Sequence, residues 1–197
     1  MTSKKTLRII LLMIFILFMS CHKKENNTVN FEKKVFDDIF IPTVDSTLID
    51  MRTYIGFQYS EKQRDSIQKD TLNRVVAFNT VNYMPPIDFS TGSTQKYKPA
   101  NDSIWSFSLE KYNSSKYKFK NVSEQPFTDE LTQWQKKYPK FSGSLSFSKI
   151  YFDETRKTGV FEVTYFCGSK CGVGYQVHIK KMKNKWKIIK VEHTWIS

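Results

Sequence analysis

The period of hydrophobic and polar positions changes several times along the chain. An uninterrupted apolar run covers Ile9–Met19, eleven residues, preceded by Lys4, Lys5 and Arg8. It carries no polar face, which sets it apart from a helix of a folded core. A bilayer-spanning helix needs about 20 apolar residues, so this run is too short to span and fits the h-region of a secretory signal. Residues 21–30 are polar and aperiodic and read as a tether that reaches roughly 30 Å when extended. Phe31, Val35 and Ile39, with Phe36 and Phe40, then recur at helical spacing, with Pro42 as the expected stop. Ser60-Glu61-Lys62-Gln63 has the form of a capping box and predicts a helix through Ile67, extending as far as Val76. Pro85-Pro86 and the polar stretch up to Asn101 read as a long loop.

Farther on, Ile104, Trp105 and Phe107 predict one strand, and Tyr117 with Phe119 a second. Thr128 is placed as an N-cap before Asp129 and Glu130. Phe127, Leu131, Trp134 and Tyr138 follow as one apolar helical stripe, which Pro139 ends. After that the period becomes two. Leu145, Phe147, Ile150 and Phe152 predict a strand carrying a bulge. Phe161, Val163, Tyr165 and Cys167 form one face of the next strand, and Tyr175, Val177 and Ile179 one face of another. A turn at Lys183-Asn184-Lys185 leads into a last strand from Trp186 to Trp195. Short connections make these an antiparallel meander. The expected architecture is α+β, a curved antiparallel sheet in the C-terminal half with N-terminal and central helices packed on one face. Residues 1–20 are then a signal, 21–30 a tether and 31–197 a single globular domain.

Composition changes little in this picture. With 40% hydrophobic and 15% aromatic residues over 197 positions, a disordered chain is excluded. Charge is more informative. Between Cys21 and Glu130 basic and acidic residues balance, whereas Leu131–Ser197 holds thirteen basic and four acidic residues. The excess is densest at Lys180, Lys181, Lys183, Lys185 and Lys187, a basic hairpin. In an exported protein such a patch faces no nucleic acid, which leaves anionic lipid or acidic glycan as candidate partners, or plain solubility.

The apolar run closes as Phe18-Met19-Ser20-Cys21 and turns polar at once. This resembles a bacterial lipoprotein signal, in which a small residue precedes a Cys that becomes the lipidated N-terminus. The resemblance implies that Cys21 carries diacylglycerol on its thiol and, after cleavage, a further acyl chain such as palmitate on its amine. Two or three chains anchor a protein stably where one does not. A secretory signal whose Cys is incidental is the alternative.

Candidate chemistry is sparse. Cys167 and Cys171 flank a three-residue connection between two strands. Directly opposed there, their Cα atoms would be about 4.5–5.5 Å apart, inside the range a disulfide needs. Export supplies the oxidising compartment. A redox-active pair is the alternative, but the spacing is C-x3-C and no helix N-terminus follows to lower a thiol pKa. Zinc would need four ligands, and no further Cys remains. His178 and His193 fall on opposite faces if Asn184 centres their hairpin, and on one face but four residues, about 13 Å, apart if the register slips by one; in neither case can they share a metal. No nucleophile elbow, phosphate loop or His-Glu-x-x-His motif occurs. Gly172-Val173-Gly174 reads as a glycine pair at a turn, and Asp153-Glu154 as a solvated turn. No catalytic residue, metal or cofactor is assigned. Asp45-Ser46-Thr47, Asp65-Ser66-Ile67, Asp70-Thr71-Leu72 and Asp102-Ser103-Ile104 resemble the Asp-Ser/Thr-apolar O-glycosylation signal of some lipoprotein-rich bacteria.

Five segments of the last third, Phe147-Ser148-Lys149, Tyr151-Phe152-Asp153, Cys167-Gly168…Cys171-Gly172-Val173-Gly174, Lys185-Trp186-Lys187-Ile188 and Trp195-Ile196-Ser197, resemble a group of small bacterial lipoproteins without an established activity. The final strands are also similar to those of NTF2-like α+β cones, a fold that hosts both enzymes and binding modules. The resemblance implies a periplasm-facing envelope protein, anchored to the outer membrane. Two functions follow. One is a non-catalytic module for an envelope protein, anionic lipid or glycan. The other is a small hydrolase or isomerase, for which Glu162 or Glu192 would have to be a buried acid in a pocket. Cys21→Ala is expected to release the protein from sedimented membranes; retention in the pellet would exclude lipidation at Cys21.

Overall fold

A computed structural model describes residues 31–54, 60–80, 98–99, 108–121, 131–168 and 171–197. Helix α1 is described over residues 31–47. Pro42 does not stop it. A proline inside a helix leaves one carbonyl without its N–H partner and costs about 3 kcal/mol. Here Thr43, Val44 and Thr47 are buried just beyond it, and that packing holds the helical path. The Thr43 and Thr47 hydroxyls also donate to the carbonyls of Ile39 and Thr43, both at 2.8 Å.

Two short helices follow, α2 at Met51–Tyr54 and α3 at Glu61–Lys69. The capping box forms as expected: the Ser60 hydroxyl accepts from the Gln63 N–H, and the Gln63 side chain accepts from the Ser60 N–H. The helix ends at Lys69, however, short of Val76. Asn73 takes a left-handed backbone conformation, φ 55°, and the chain enters strand β1, Arg74–Thr80. Val75, Val76, Ala77 and Phe78 are all buried, so both faces of β1 are covered. A strand buried on both faces loses its period-two signal, which is why its sequence read as a helix tail.

The remaining elements are β2, Lys98–Pro99, a 3-10 turn at Leu109–Tyr112, β3, Tyr117–Asn121, α4, Leu131–Lys137, β4, Phe141–Phe147, β5, Tyr151–Phe152, β6, Thr158–Gly168, β7, Cys171–Met182, and β8, Lys185–Ile196. Strand β2 lies within the stretch expected to be loop. The expected strand at Ile104–Phe107 and the Thr128 cap lie outside the described residues. Leu145–Phe147 and Tyr151–Phe152 form two strands, not one bulged strand. Ser148 bridges the break, donating its N–H to the Glu162 carbonyl at 2.9 Å and accepting the Glu162 N–H on its hydroxyl at 2.8 Å.

The eight strands make one open sheet, an α+β architecture. Strand β6 is its spine, pairing antiparallel with β4 and β5 along one edge and with β7 along the other. The expected antiparallel C-terminal sheet is extended by β1, which runs parallel to both β3 and β4, so the whole is mixed. Parallel pairs need long crossovers, which no local pattern announces.

Helix α1 covers one sheet face. The Phe40 ring lies 5.0 Å from Phe36, 5.1 Å from Phe78, 4.2 Å from Tyr112 and 4.9 Å from Phe119, centroid to centroid. Below it Phe147 meets Phe161 at 5.6 Å, carrying the aromatic layer onto β6. On α4, Trp134 packs on Phe141 at 5.0 Å. Gly143 sits at φ 118°, where a Cβ would lie 2.6 Å from the Tyr165 ring, so only glycine fits. Phe40→Ala is expected to cost about 3–5 kcal/mol, read as a lower denaturation midpoint; a loss under about 1 kcal/mol would show that the layer does not depend on α1.

Candidate functional site

Registers across β6, β7 and β8 divide their side chains between two faces. Phe161, Val163 and Tyr165 on β6 and Tyr175, Val177 and Ile179 on β7 point into the core. The opposite face is organised in cross-strand rows. Thr164, Gly174 and Trp195 form one, Glu162, Gln176 and Glu192 the next, Val160, His178 and Lys190 a third, and Thr158, Lys180 and Lys187 a fourth. Two irregularities in β8, opposite Gly174/Tyr175 and His178/Ile179, keep its polar residues on this face over twelve residues.

Trp195 is the largest side chain on the strip and is 41% exposed. Its indole lies along β7 over two glycines. A Cβ at Gly174 would fall 2.1 Å from the indole nitrogen, and one at Gly172 would fall 3.0 Å from the six-membered ring. Gly172-Val173-Gly174 is therefore not a turn but part of a strand, in which alternate glycines leave a bed for an aromatic ring. Phe166 on β6, 37% exposed, flanks the indole at 6.2 Å. The segments Cys171–Gly174 and Trp195–Ser197 meet here. Main-chain hydrogen bonds between Gly172 and Ser197 hold them together.

In the next row the two carboxylates are in contrasting surroundings. Burial raises the pKa of Glu162 above the usual glutamate value, and no cation offsets it. Glu192 is pulled below its usual value, first by Lys190, 2.7 Å away, and then by His178, whose Nε2 is 2.8 Å from the other carboxylate oxygen. The two glutamates stand two strands apart, about 10 Å between backbones. Ser148, beside Glu162, spends its hydroxyl on main chain, accepting from Glu162 N–H and donating to the Lys149 carbonyl at 2.9 Å. No activated nucleophile is formed at this place.

The other sequence candidates are dispersed. The Cys167 and Cys171 sulfurs are at bonding distance with Cα atoms 5.1 Å apart, although Cys171 pairs across from Gly168 and Cys167 sits in the irregularity before it. His193 faces the side opposite His178 and stacks on Tyr175 at 4.7 Å between centroids. Asp153 is not merely solvated; its carboxylate accepts the N–H groups of Lys157 and Thr158 and the Thr155 hydroxyl, closing the turn into β6. The five lysines do not form one patch. Lys180, Lys185 and Lys187 share the strip's face, Lys181 pairs with Trp186 on the other, and Lys183 occupies the turn at φ 56°. Lys180 stands directly across from Lys187, a repulsive like-charge pair. Cys21 lies outside the described residues. Among the described residues no three His, Cys, Asp or Glu side chains could hold a metal ion.

No family model matches the chain, and neither a curated protein nor a solved structure is similar to it.

The strip offers an aromatic surface beside hydrogen-bonding groups of both polarities. Its centre, Trp195 on the two glycines, was missed in the sequence. A Gly-x-Gly at period two, with a Trp on the adjoining strand, was the available signal. The state of Glu162 is testable. Its folded pKa exceeds its unfolded one, so its ionisation opposes folding at neutral pH, and the penalty fades as pH falls through the folded pKa. Glu162→Gln is expected to raise the melting temperature at pH 7 and to leave it unchanged near pH 4, where the wild-type group is largely protonated; equal effects at both values would contradict the burial argument.

Proposed function

We propose that this chain is a bacterial envelope lipoprotein, held to the membrane through acyl chains on Cys21, whose domain is a non-catalytic binding module. The observation that favours binding is the Trp195 strip: an exposed indole backed by glycine, flanked by Phe166 and by a polar row, with no nucleophile beside a free base among the described residues. Exposed aromatic rings with polar neighbours are how recognition surfaces gain contact area at small entropic cost.

The anchoring half of the reading is supported by Lys4, Lys5, Arg8, the apolar run Ile9–Met19 and the Ser20-Cys21 junction. Among the described residues no helix is long and apolar enough to cross a membrane. With the tether of residues 21–30, the domain would hang from the outer membrane into the periplasm, clear of the headgroups, and meet envelope proteins, anionic lipids or glycans. Nucleic acid is not among its partners on this reading. One observation favours the alternative of a small NTF2-like hydrolase or isomerase: Glu162 is a half-buried acid with a raised pKa, the kind of group general-acid chemistry uses.

Intact mass of the protein extracted from membranes tests the anchoring. The expected result is a chain starting at Cys21 and heavier by lipid, gaining two protons on reduction as Cys167–Cys171 opens. A chain without lipid would make the protein freely secreted, and no mass gain on reduction would return the cysteines to the free-thiol state.

A further inference from the structure

We propose that the Trp195 strip is a binding site for a neutral saccharide, one ring stacked on Trp195 and its neighbour hydrogen-bonded by the row of Glu162, Gln176 and Glu192. The proposal rests on the binding-module reading and names its ligand. A pyranose has a face of C–H groups and a rim of hydroxyls, each both donor and acceptor. It therefore matches a surface that sets a flat aromatic ring beside mixed hydrogen-bonding groups.

Three features meet that requirement. The indole lies along β7 over Gly172 and Gly174, where any side chain on either residue would collide with it. Phe166 closes one side of the platform at 6.2 Å. Rows on one face of a strand repeat about every 6.7 Å, so the polar row lies about one sugar ring beyond the indole. In that row Gln176 carries both a donor and an acceptor, and the Glu192 carboxylate is an acceptor held in place by Lys190 and His178. Glu162, half-buried beside them, can donate when protonated and accept when ionised.

Charge selects the class of sugar. In the row nearest Trp195 the Glu192 carboxylate is paired with Lys190 of the next row, 2.7 Å away, while Glu162 has no cation beside it, so a uronate, sulfate or phosphate finds no unpaired lysine there and meets the uncompensated Glu162. Lys180 and Lys187 stand two rows farther on, about 20 Å from the indole along the strand. An acidic polymer would be drawn to that end and away from Trp195. A protein partner would cover the whole strip, and nothing in the rows favours its apolar anchors beyond the one aromatic pair.

Titration of the detergent-solubilised, membrane-extracted protein with cellohexaose, maltohexaose, mannohexaose and chitohexaose, and with dextran sulfate as the acidic probe, tests the assignment. At least one neutral hexasaccharide is expected to bind with Kd on the order of 0.1 mM. Trp195→Ala and the double variant Gln176→Ala, Glu192→Ala should each weaken it about tenfold or more, Trp195→Phe by less, and Lys180→Ala with Lys187→Ala not at all. Should Trp195→Ala fail to fold, the double variant carries the same comparison. Absence of binding to all four neutral probes, or binding that both variants leave intact, would overturn the saccharide site. Binding of dextran sulfate alone, lost with the two lysines, would overturn it too while leaving a binding module. Recovery of shortened sugars after incubation would overturn the non-catalytic reading and leave saccharide recognition standing.

Discussion

The Phe40 ring, wedged between Phe36, Phe78, Tyr112 and Phe119, is the contact on which the rest of the architecture turns. A sheet face of Phe, Tyr, Val and Ile cannot face water, because burying each such side chain is worth roughly 1.5–3 kcal/mol. Helix α1 supplies the cover, and its Phe36 and Phe40 reach β1, β3 and β4, strands far apart in sequence. Covering that face also decides which face stays free. Trp195 and the polar row beside it lie on the face of β6, β7 and β8 opposite Phe161, Val163, Tyr165, Tyr175, Val177 and Ile179, which are committed to the core.

Strand β6 transmits this division. It pairs with β4, β5 and β7, so its alternation fixes the facing of residues on both sides of it. A one-residue slip between β6 and β7 would carry Glu162 into the aromatic layer and Phe161 out of it, a double penalty that pins the register. The bond between Cys167 and Cys171 at one end and the carboxylate of Asp153 at the other hold the turns into and out of β6. The glycines of β7 serve the free face in a different way. They carry no side chain of their own, which leaves room along β7 for a large ring from β8.

Electrostatics separate the strip into two parts. Glu162 is desolvated without compensation, whereas Glu192 sits between Lys190 and His178, so two carboxylates in one row have pKa values moved in opposite directions. At the far end Lys180 and Lys187 oppose each other with no acid between them. The strip is therefore graded in charge along the strands, from the two glutamates beside Trp195 to the two lysines at the far end, a pattern that the net charge of the whole chain does not reveal.

Local pattern by itself determined the capped start of α3, the strands with one wet face, and the nearness of Cys167 to Cys171. Each depends on neighbours a few residues apart, where period, capping chemistry and turn length leave little choice. The facing of His178 and His193 was not fixed in this way: the turn pairs Met182 with Lys185, and the irregularity opposite His178/Ile179 is what carries His193 to the other face. Tertiary structure decided what depends on distant partners: that Arg74–Thr80 is a central strand and not a helix tail, that β1 runs parallel to β3 and β4, that α1 continues through Pro42, and that Trp195 lies on Gly172 and Gly174. In each case the energy that decides comes from burial against residues far along the chain, and a sequence read in windows contains the parts of that contact but not the fact that they meet.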